Sequence, residues 1–282
     1  MTVDTQVGYP AAPTAEPLDG TLLSIVTPTS GVEGLGDGAG LFDTFNCIDT
    51  GVNPGVICGP VSTSKFADAE SPIWVNGLAF AAYGVTVCKL VEPGYLADGV
   101  TAAFTAAESR VVEQALMEDV FTASPGRWAA ALDITPPVGA VDPVTGVGLL
   151  ESHMARNYAG KGILHVPRVV ATIAASKGAM ELDGRVLKTS LNTPVAAGGG
   201  YDLPNSGPTG AEAAAGEKWI YATGQVLLLR KTLETREQLH RGPAGRGLDP
   251  NDMIALAEAS YIVAVDCYKA AVRVKIHEPG TP

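Results

Sequence analysis

The sequence predicts an α+β fold, and three observations carry that expectation. Short strand-like and helical segments alternate through much of the chain. One helical stretch is far longer than the rest, and the 33 glycines and 20 prolines are spread along almost the whole length instead of gathering in a linker. With 282 residues the chain can bury a core sufficient for one elaborate domain or two modest ones. No fixed repeat period is visible, which argues against a solenoid or propeller.

The first 45 or so residues read as an extended arm. Pro10, Pro13, Pro17 and Pro28 forbid a long helix, and Gly31, Gly34, Gly36, Gly38 and Gly40 prevent compact regular structure. Only residues 22–26 look strand-like. Such an arm cannot bury itself, so it is either disordered or laid across a partner. From 46 to 91 the pattern changes to short apolar or alternating pieces, at 74–80 and 83–88, punctuated by Asn53-Pro54-Gly55, Gly59-Pro60 and Ser71-Pro72. These predict β-strands and a long loop or hairpin with its exposed tip at 62–70.

The clearest helix is expected at 98–123. Val100, Phe104, Ala107, Val111, Ala115, Leu116 and Val120 make a broad apolar stripe, Asp98 can cap the start, and Ser124-Pro125-Gly126 ends it. At 1.5 Å per residue it would span roughly 39 Å, long enough to act as a spine. A second helix is expected at 147–158, closed by Gly160 and Gly162, then a strand at 163–166, a third helix at 168–177 stopped by Gly178, and a two-residue hairpin turn within Leu182-Asp183-Gly184-Arg185. Residues 194–216 read as a glycine-rich loop. Segments 218–221 and 225–229 read as strands in one sheet with 261–265 and 270–276, and 253–258 as a helical turn.

The composition is 46% hydrophobic and only 17% charged, which suits a protein whose surface is covered by neighbours. The formal charge of -11 argues against a dedicated nucleic-acid binder, since phosphate neutralisation needs clustered Lys and Arg. The densest cationic stretch, 230–246, is broken by Glu234 and Glu237 and reads as a solvated face. The N-terminal residues MTVDTQVGYPAAPTAEP have neither a basic region nor an apolar run, so no secretory signal is expected. No apolar stretch reaches the roughly 18 residues of a membrane span, and folding in the cytosol of the producing cell is the expectation.

Cys47, Cys58, Cys88 and Cys267 form no CxxC pair and have no His at ligand spacing, so reduced, packed thiols are expected and zinc is not. Gly34-Leu35-Gly36-Asp37-Gly38-Ala39 matches a dinucleotide fingerprint in letters only. A helix would have to open there, yet Gly51, Asn53, Pro54 and Gly55 follow too soon. Gly160-Lys161-Gly162 lacks the phosphate-loop frame and reads as a helix stop with a cation at the C-terminal dipole. His153, His165, His240 and His277 form no ligand pair, and His165 reads as a hydrogen-bonded core residue in an apolar strand. The pairs Glu113/Glu118 and Glu234/Glu237 read as solvated faces. GxSxG is absent. No catalytic, cofactor-binding or metal-ligating residue is assigned, no cofactor is expected, and an enzyme is not.

Set in order, the pieces are an arm, an extended loop, a long spine helix, a compact α+β unit and a closing sheet. That order resembles the Hong Kong 97 (Johnson) fold of tailed-phage major capsid proteins and encapsulins. Several stretches add to it: Gly162-Ile163-Leu164-His165-Val166-Pro167-Arg168, Thr193-Pro194-Val195-Ala196-Ala197-Gly198-Gly199-Gly200-Tyr201 and Trp219-Ile220-Tyr221-Ala222-Thr223-Gly224. Toward the carboxy end, Leu256-Ala257-Glu258, Tyr261-Ile262-Val263, Asp266-Cys267 and Ala270-Ala271-Val272 are similar too. In type and order they resemble capsid proteins of phages infecting actinobacteria over roughly residues 45–276, and no single stretch is diagnostic alone.

The resemblance implies an N-terminal arm at 1–51, an E-loop at 52–87, a peripheral domain from 88–126 and 218–282 holding the spine helix 98–123, and an axial domain at 127–217. It implies a structural protein assembling as hexamers and pentamers into an icosahedral virion head, put together in the host bacterial cytoplasm. DNA would be enclosed without sequence-specific binding, scaffold, portal and decoration proteins are the partners in view, and no membrane is involved. A Cys47–Cys58 bridge is the alternative to free thiols if particles mature outside the cell. Lys65 is the one lysine at the expected loop tip, though an exposed solubilising role fits it better than cross-linking to an Asn. An encapsulin-type cargo shell and a nucleotide-binding enzyme using 31–40 are the rival readings.

Overall fold

The computed structural model describes residues 16–30, 41–44, 73–76, 78–89, 95–122, 130–158, 160–202, 205–239 and 252–276. The glycine run at 31–40, the loop tip with Lys65, Cys47, Cys58, the Ser124-Pro125-Gly126 stop, His240 and His277 lie outside the described residues.

In chain order the helices are α1 (Leu22–Ile25), α2 (Tyr95–Ala115), continued by a π-helical segment Leu116–Phe121, α3 (Pro143–Asn157) and α4 (Arg168–Ser176). The strands run β1 (Thr29–Ser30), β2 (Leu41–Thr44), β3 (Ile73–Asn76), β4 (Leu78–Lys89), β5 (Leu132–Asp133), β6 (Ile163–His165) and β7 (Met180–Asp183). They continue as β8 (Val186–Thr189), β9 (Pro194–Ala196), β10 (Glu217–Thr223), β11 (Val226–Arg230), β12 (Glu234–Leu239), β13 (Asp252–Val265) and β14 (Lys269–Lys275). The chain divides into a larger unit (Asp19–Phe80, Ser109–Thr232, Ser260–Pro282) and a smaller one (Met1–Leu18, Ala81–Glu108, Leu233–Ala259).

The larger unit is built on a mixed seven-stranded sheet in the order β5-β14-β10-β6-β9-β8-β7. Strand alternation gives it two apolar faces. Ile220 and Ala222 of β10 and Val272 and Val274 of β14 point toward α3 and α4, meeting Val147, Leu150, Met154, Val170 and Ala174 in one buried cluster. Gly146 makes that contact close, since a Cβ there would overlap Val274. α3 starts four residues earlier than its apolar pattern suggests, because Asp142 accepts hydrogen bonds from the Val144 and Thr145 amides and Pro143 sits in the first turn. On the other face Phe121 stacks on Tyr221 at 4.4 Å between centroids.

A second sheet contributes β1, parallel to β11, and the later half of β13, antiparallel to β11 from Val226↔Val265 to Arg230↔Tyr261. The strands at 217–230 and 261–275 therefore belong to two sheets, not the one expected. Each chain crosses from sheet to sheet at a bend, at Gly224-Gln225 and at 266–268, and the bends are bound together. Gly224 N–H donates to Tyr268 O and Asp266 N–H to Gln225 O, both at 2.9 Å. The Tyr158 hydroxyl accepts from Gln225 N at 3.0 Å and donates to Asp266 Oδ2 at 2.8 Å.

In the smaller unit the earlier half of β13 pairs antiparallel with β12, from Glu234↔Glu258 to Leu239↔Met253. The helical turn expected at 253–258 is therefore strand. Its alanines favour helix in isolation, but Ala255, Ala257 and Ala259 alternate buried with half-buried neighbours, so pairing overrides propensity. β4 passes over α2 at Gly84, whose absent Cβ would lie 3.7 Å from Phe104 and 3.8 Å from Val100.

Four further expectations change. Residues 22–26 form a helical turn, not a strand: Ser24 Oγ accepts from Thr21 N–H at 3.4 Å, and a tertiary acceptor takes the Leu22 amide. The spine begins at Tyr95, so Asp98 lies inside the first turn, and Glu237 of β12 takes the cap role by accepting from Ala97 N–H at 2.7 Å. The buried face of the spine is a four-step series, Leu96, Val100, Phe104, Glu108, Val112, Leu116 and Val120, and not the stripe through Ala107, Val111 and Ala115, which are half-buried. In an α-helix a four-step series drifts by about 40° per step, so the buried face winds around the axis. The wider i→i+5 turns of the π segment reverse that drift and bring Phe121 onto Tyr221. Within 194–216, finally, Pro194–Ala196 is a short strand parallel to β6.

Candidate functional site

Two buried polar clusters lie in the larger unit. The first is Glu113, a fully buried side chain on the spine helix and not the solvated residue expected of it. Its Oε1 accepts from Leu22 N–H at 2.9 Å and from the Ser109 hydroxyl at 3.2 Å, and its Oε2 accepts from Gly200 N–H at 3.2 Å. Ser109 sits one turn before it on the same helix, and Leu23 N–H approaches the Ser109 hydroxyl at 3.5 Å. Three chain segments thus close on one carboxyl.

The glycines of Gly198-Gly199-Gly200 make room for it. A Cβ at Gly198 would overlap both carboxyl oxygens, and one at Gly200 would meet the backbone of α2. Burial raises the Glu113 carboxyl from the ordinary carboxylate range to about 7, against the opposing pull of the Leu22, Gly200 and Ser109 hydrogen bonds and of the Arg168 charge.

The second cluster centres on His165, buried as expected. Its Nδ1 lies 2.9 Å from Tyr201 Oη and its Nε2 2.8 Å from Thr223 Oγ1. Thr223 spends its hydroxyl proton on the Gly224 carbonyl at 2.9 Å. It must therefore accept from Nε2–H, which leaves Nδ1 as the acceptor for the Tyr201 hydroxyl. Complete burial holds the imidazole neutral by lowering it to about 3 and pushes the Tyr201 phenol well above its usual value. Phe121 from the π segment covers the ring, with centroids 5.0 Å apart. A histidine sealed this way is a strut, with no proton to exchange near neutrality.

The two clusters adjoin through Gly200-Tyr201. Asn205 secures the same loop from the other side, with Oδ1 accepting from Trp219 N–H at 2.6 Å and Nδ2 donating to Tyr201 O and Trp219 O at 3.0 Å each. His165, Tyr201 and Thr223 come from the three stretches 162–168, 193–201 and 219–224, so segments distant in sequence converge on one point. Sequence reasoning missed Glu113 and Asn205. The triple glycine was the available signal for Glu113, since so open a backbone often accommodates a close neighbour.

Elsewhere, Glu234 pairs with Arg236 at 2.5 Å on the surface, as expected of a solvated face, whereas Glu237 caps α2. His153 Nδ1 meets the Tyr268 hydroxyl at 2.9 Å. Cys267 is disulfide-bonded, contrary to the expectation of free thiols. Among the described residues no group of three or more His, Cys, Asp or Glu is placed to hold a metal, and no helix is long and apolar enough to cross a membrane.

Exposed apolar side chains are prominent. On β4, Tyr83, Val85 and Val87 alternate outward at 68%, 57% and 43% exposure, and Val138 and Leu191 reach 87% and 75%.

The architecture is that of phage capsid proteins, the Hong Kong 97-like α+β fold. Among solved structures the chain is similar to one from Gordonia phage Cozz, at TM-score 0.54 and 14% identity over 97% of this chain and 93% of that one. It is similar also to one from Mycobacterium phage Cain, at TM-score 0.52 and 11% identity over 94% and 93%. The capsid of Ralstonia phage GP4 matches at TM-score 0.51 and 7% identity over 99% and 98%. No family model matches the sequence, and no curated protein matches it.

Proposed function

We propose that this chain is a tailed-phage major capsid protein, a structural subunit and not an enzyme, that self-assembles as hexamers and pentamers into the icosahedral head enclosing double-stranded DNA. The observation that carries the reading is the near end-to-end likeness to phage capsid structures, covering 97% of this chain and 93% of the Gordonia phage chain. The likeness runs along nearly the whole of both chains.

Physical features support it. A chain with 17% charged residues that turns Tyr83, Val85 and Val87 outward along one strand leaves an apolar face that a neighbouring subunit would cover. The buried cluster around His165 has the character of a fixed strut. On this reading residues 1–51 are the arm, 52–87 the E-loop, 88–126 with 218–282 the peripheral domain, and 127–217 the axial domain. Scaffold, portal and decoration proteins are the partners to expect, the virion is the final location, and assembly takes place in the host cytoplasm. With a net charge of -11, the wall encloses DNA without gripping it.

The test is electron microscopy of the purified chain, alone and with the scaffold and protease products of neighbouring genes. Closed shells or capsomers are expected, and a folded monomer under every assembly condition overturns the reading. Shells that co-purify with an enzyme cargo would assign the chain to an encapsulin-type compartment instead.

A further inference from the structure

Glu113 adds a side-chain tie between the turn of α1 and the loop at 198–201, beyond the backbone bond from Ala197 N–H to Gly20 O at 2.6 Å that holds the chain just before each. Its Oε1 holds the Leu22 amide at 2.9 Å and its Oε2 the Gly200 amide at 3.2 Å. We propose that Glu113 is a proton-operated latch: with the carboxyl neutral, the turn and the loop are held to the spine helix, and ionisation of the carboxyl frees the turn.

The geometry supplies a held state and a reason to leave it. In the neutral form both amides keep an acceptor. In the ionised form a full charge is sealed between helix and loop, and Gly198 and Gly200 press against it where any side chain would overlap. Releasing the turn lets water reach that charge.

The surroundings do little to neutralise it. From α4, Arg168 attracts the carboxylate, but its guanidinium is engaged with Asp19 O at 3.3 Å and Ala197 O at 3.2 Å. From the loop comes Tyr201, whose phenol is kept protonated by burial and by the Glu113 charge, followed by Asp202, whose carboxyl is raised by burial. From the helix itself, Arg110 turns its aliphatic stem toward Gly199. The turn brings only Thr21, Leu22, Leu23 and Ser24, with Asp19 just before it.

The direction of the pH effect follows. The held carboxyl sits at about 7, above its ordinary value of 4.5, so the held state binds a proton that the released state gives up. The hold is complete below about 4.5, weakens as the pH rises toward 7, and is flat above that.

The experiment is hydrogen exchange of the full chain, below the concentration at which it assembles, corrected for the intrinsic pH dependence of exchange. Protection of the Leu22 and Gly200 amides should fall by up to about tenfold per pH unit between 4.5 and 7, with α3 amides unchanged. Glu113→Gln, a neutral isostere, should abolish the dependence. If that variant does not fold, Ser109→Ala serves: it removes a hydrogen bond that lowers the carboxyl pKa, so the upper limit of the transition should move to higher pH. Protection at Leu22 that ignores pH in the wild type, or that titrates equally in Glu113→Gln, or an unmoved transition in Ser109→Ala, overturns the latch. Because the readout is local, failure of shell assembly leaves it standing, and success of assembly does not prove it.

Discussion

Glu113 and His165, linked through Gly200-Tyr201, carry opposite pH dependences. His165 is held at about 3, so below its ordinary value of 6.5 the unfolded chain binds a proton that the folded chain refuses, and acid destabilises the fold through it. Glu113 is held at about 7 against an ordinary 4.5, so acid stabilises the fold through it. Between pH 4.5 and 6.5 the two slopes cancel. Replacing either residue should expose the other at up to about 1.4 kcal/mol per pH unit. In urea titrations across this range, His165→Phe should lose stability as pH rises, and Glu113→Gln should lose it as pH falls. Like slopes in both variants would contradict the burial-driven shifts. His165→Phe should also be less stable than wild type by about 1–3 kcal/mol at pH 7, because the Tyr201 hydroxyl loses its acceptor inside the core.

At the scale of elements, Gly162 is the most exacting junction. A Cβ there would overlap the Thr223 carbonyl oxygen and the Met154 sulfur, so Gly162→Ala should force β6 away from β10 and destabilise the larger unit by about 1–3 kcal/mol in thermal or urea unfolding. A variant within 0.5 kcal/mol of wild type would mean that β6 yields easily. Gly160 and Gly162 do not cap α3, which ends at Asn157 with Tyr158 extended beyond it. Legible in the sequence were α4, with Gly178 as its stop at φ 74°, and the β7–β8 hairpin, with Gly184 at φ 62°. These are local signals, spoken by neighbouring residues. What was not legible depended on distant partners. Thr21 to Ser24 become a turn because Glu113, about ninety positions away, accepts the Leu22 amide. Residues 253–258 become strand because β12 lies alongside, and the apolar pattern of the spine could not reveal a buried carboxylate at 113 or a winding contact face.

At the scale of the whole molecule, the order of segments was readable, and it gave the fold class that the solved phage structures share; the division of strands between two sheets was not, because 217–230 and 261–275 look alike in composition whichever sheet they join. The outward face of β4 tests the proposed assembly most directly. Val85 is 57% exposed, so Val85→Lys should change the stability of the isolated chain by no more than about 0.5 kcal/mol. It should nonetheless prevent shell formation in light scattering and electron microscopy, since a charge would be buried without a partner in every contact. Normal shells from this variant would remove β4 from the subunit interface.

The paired bends at Gly224-Gln225 and 266–268 give such a wall a mechanical character. Two strands of the same subunit cross side by side from one sheet into the other, tied by Tyr158 and by reciprocal backbone bonds. Tension between the sheets runs along both covalent chains at once, so neither crossing carries it alone. Because β10 and β14 are drawn the same way, the load passes outward to their other neighbours in the sheet, β6 and β5. In a shell of the kind proposed, each subunit would carry a doubled tie at this seam.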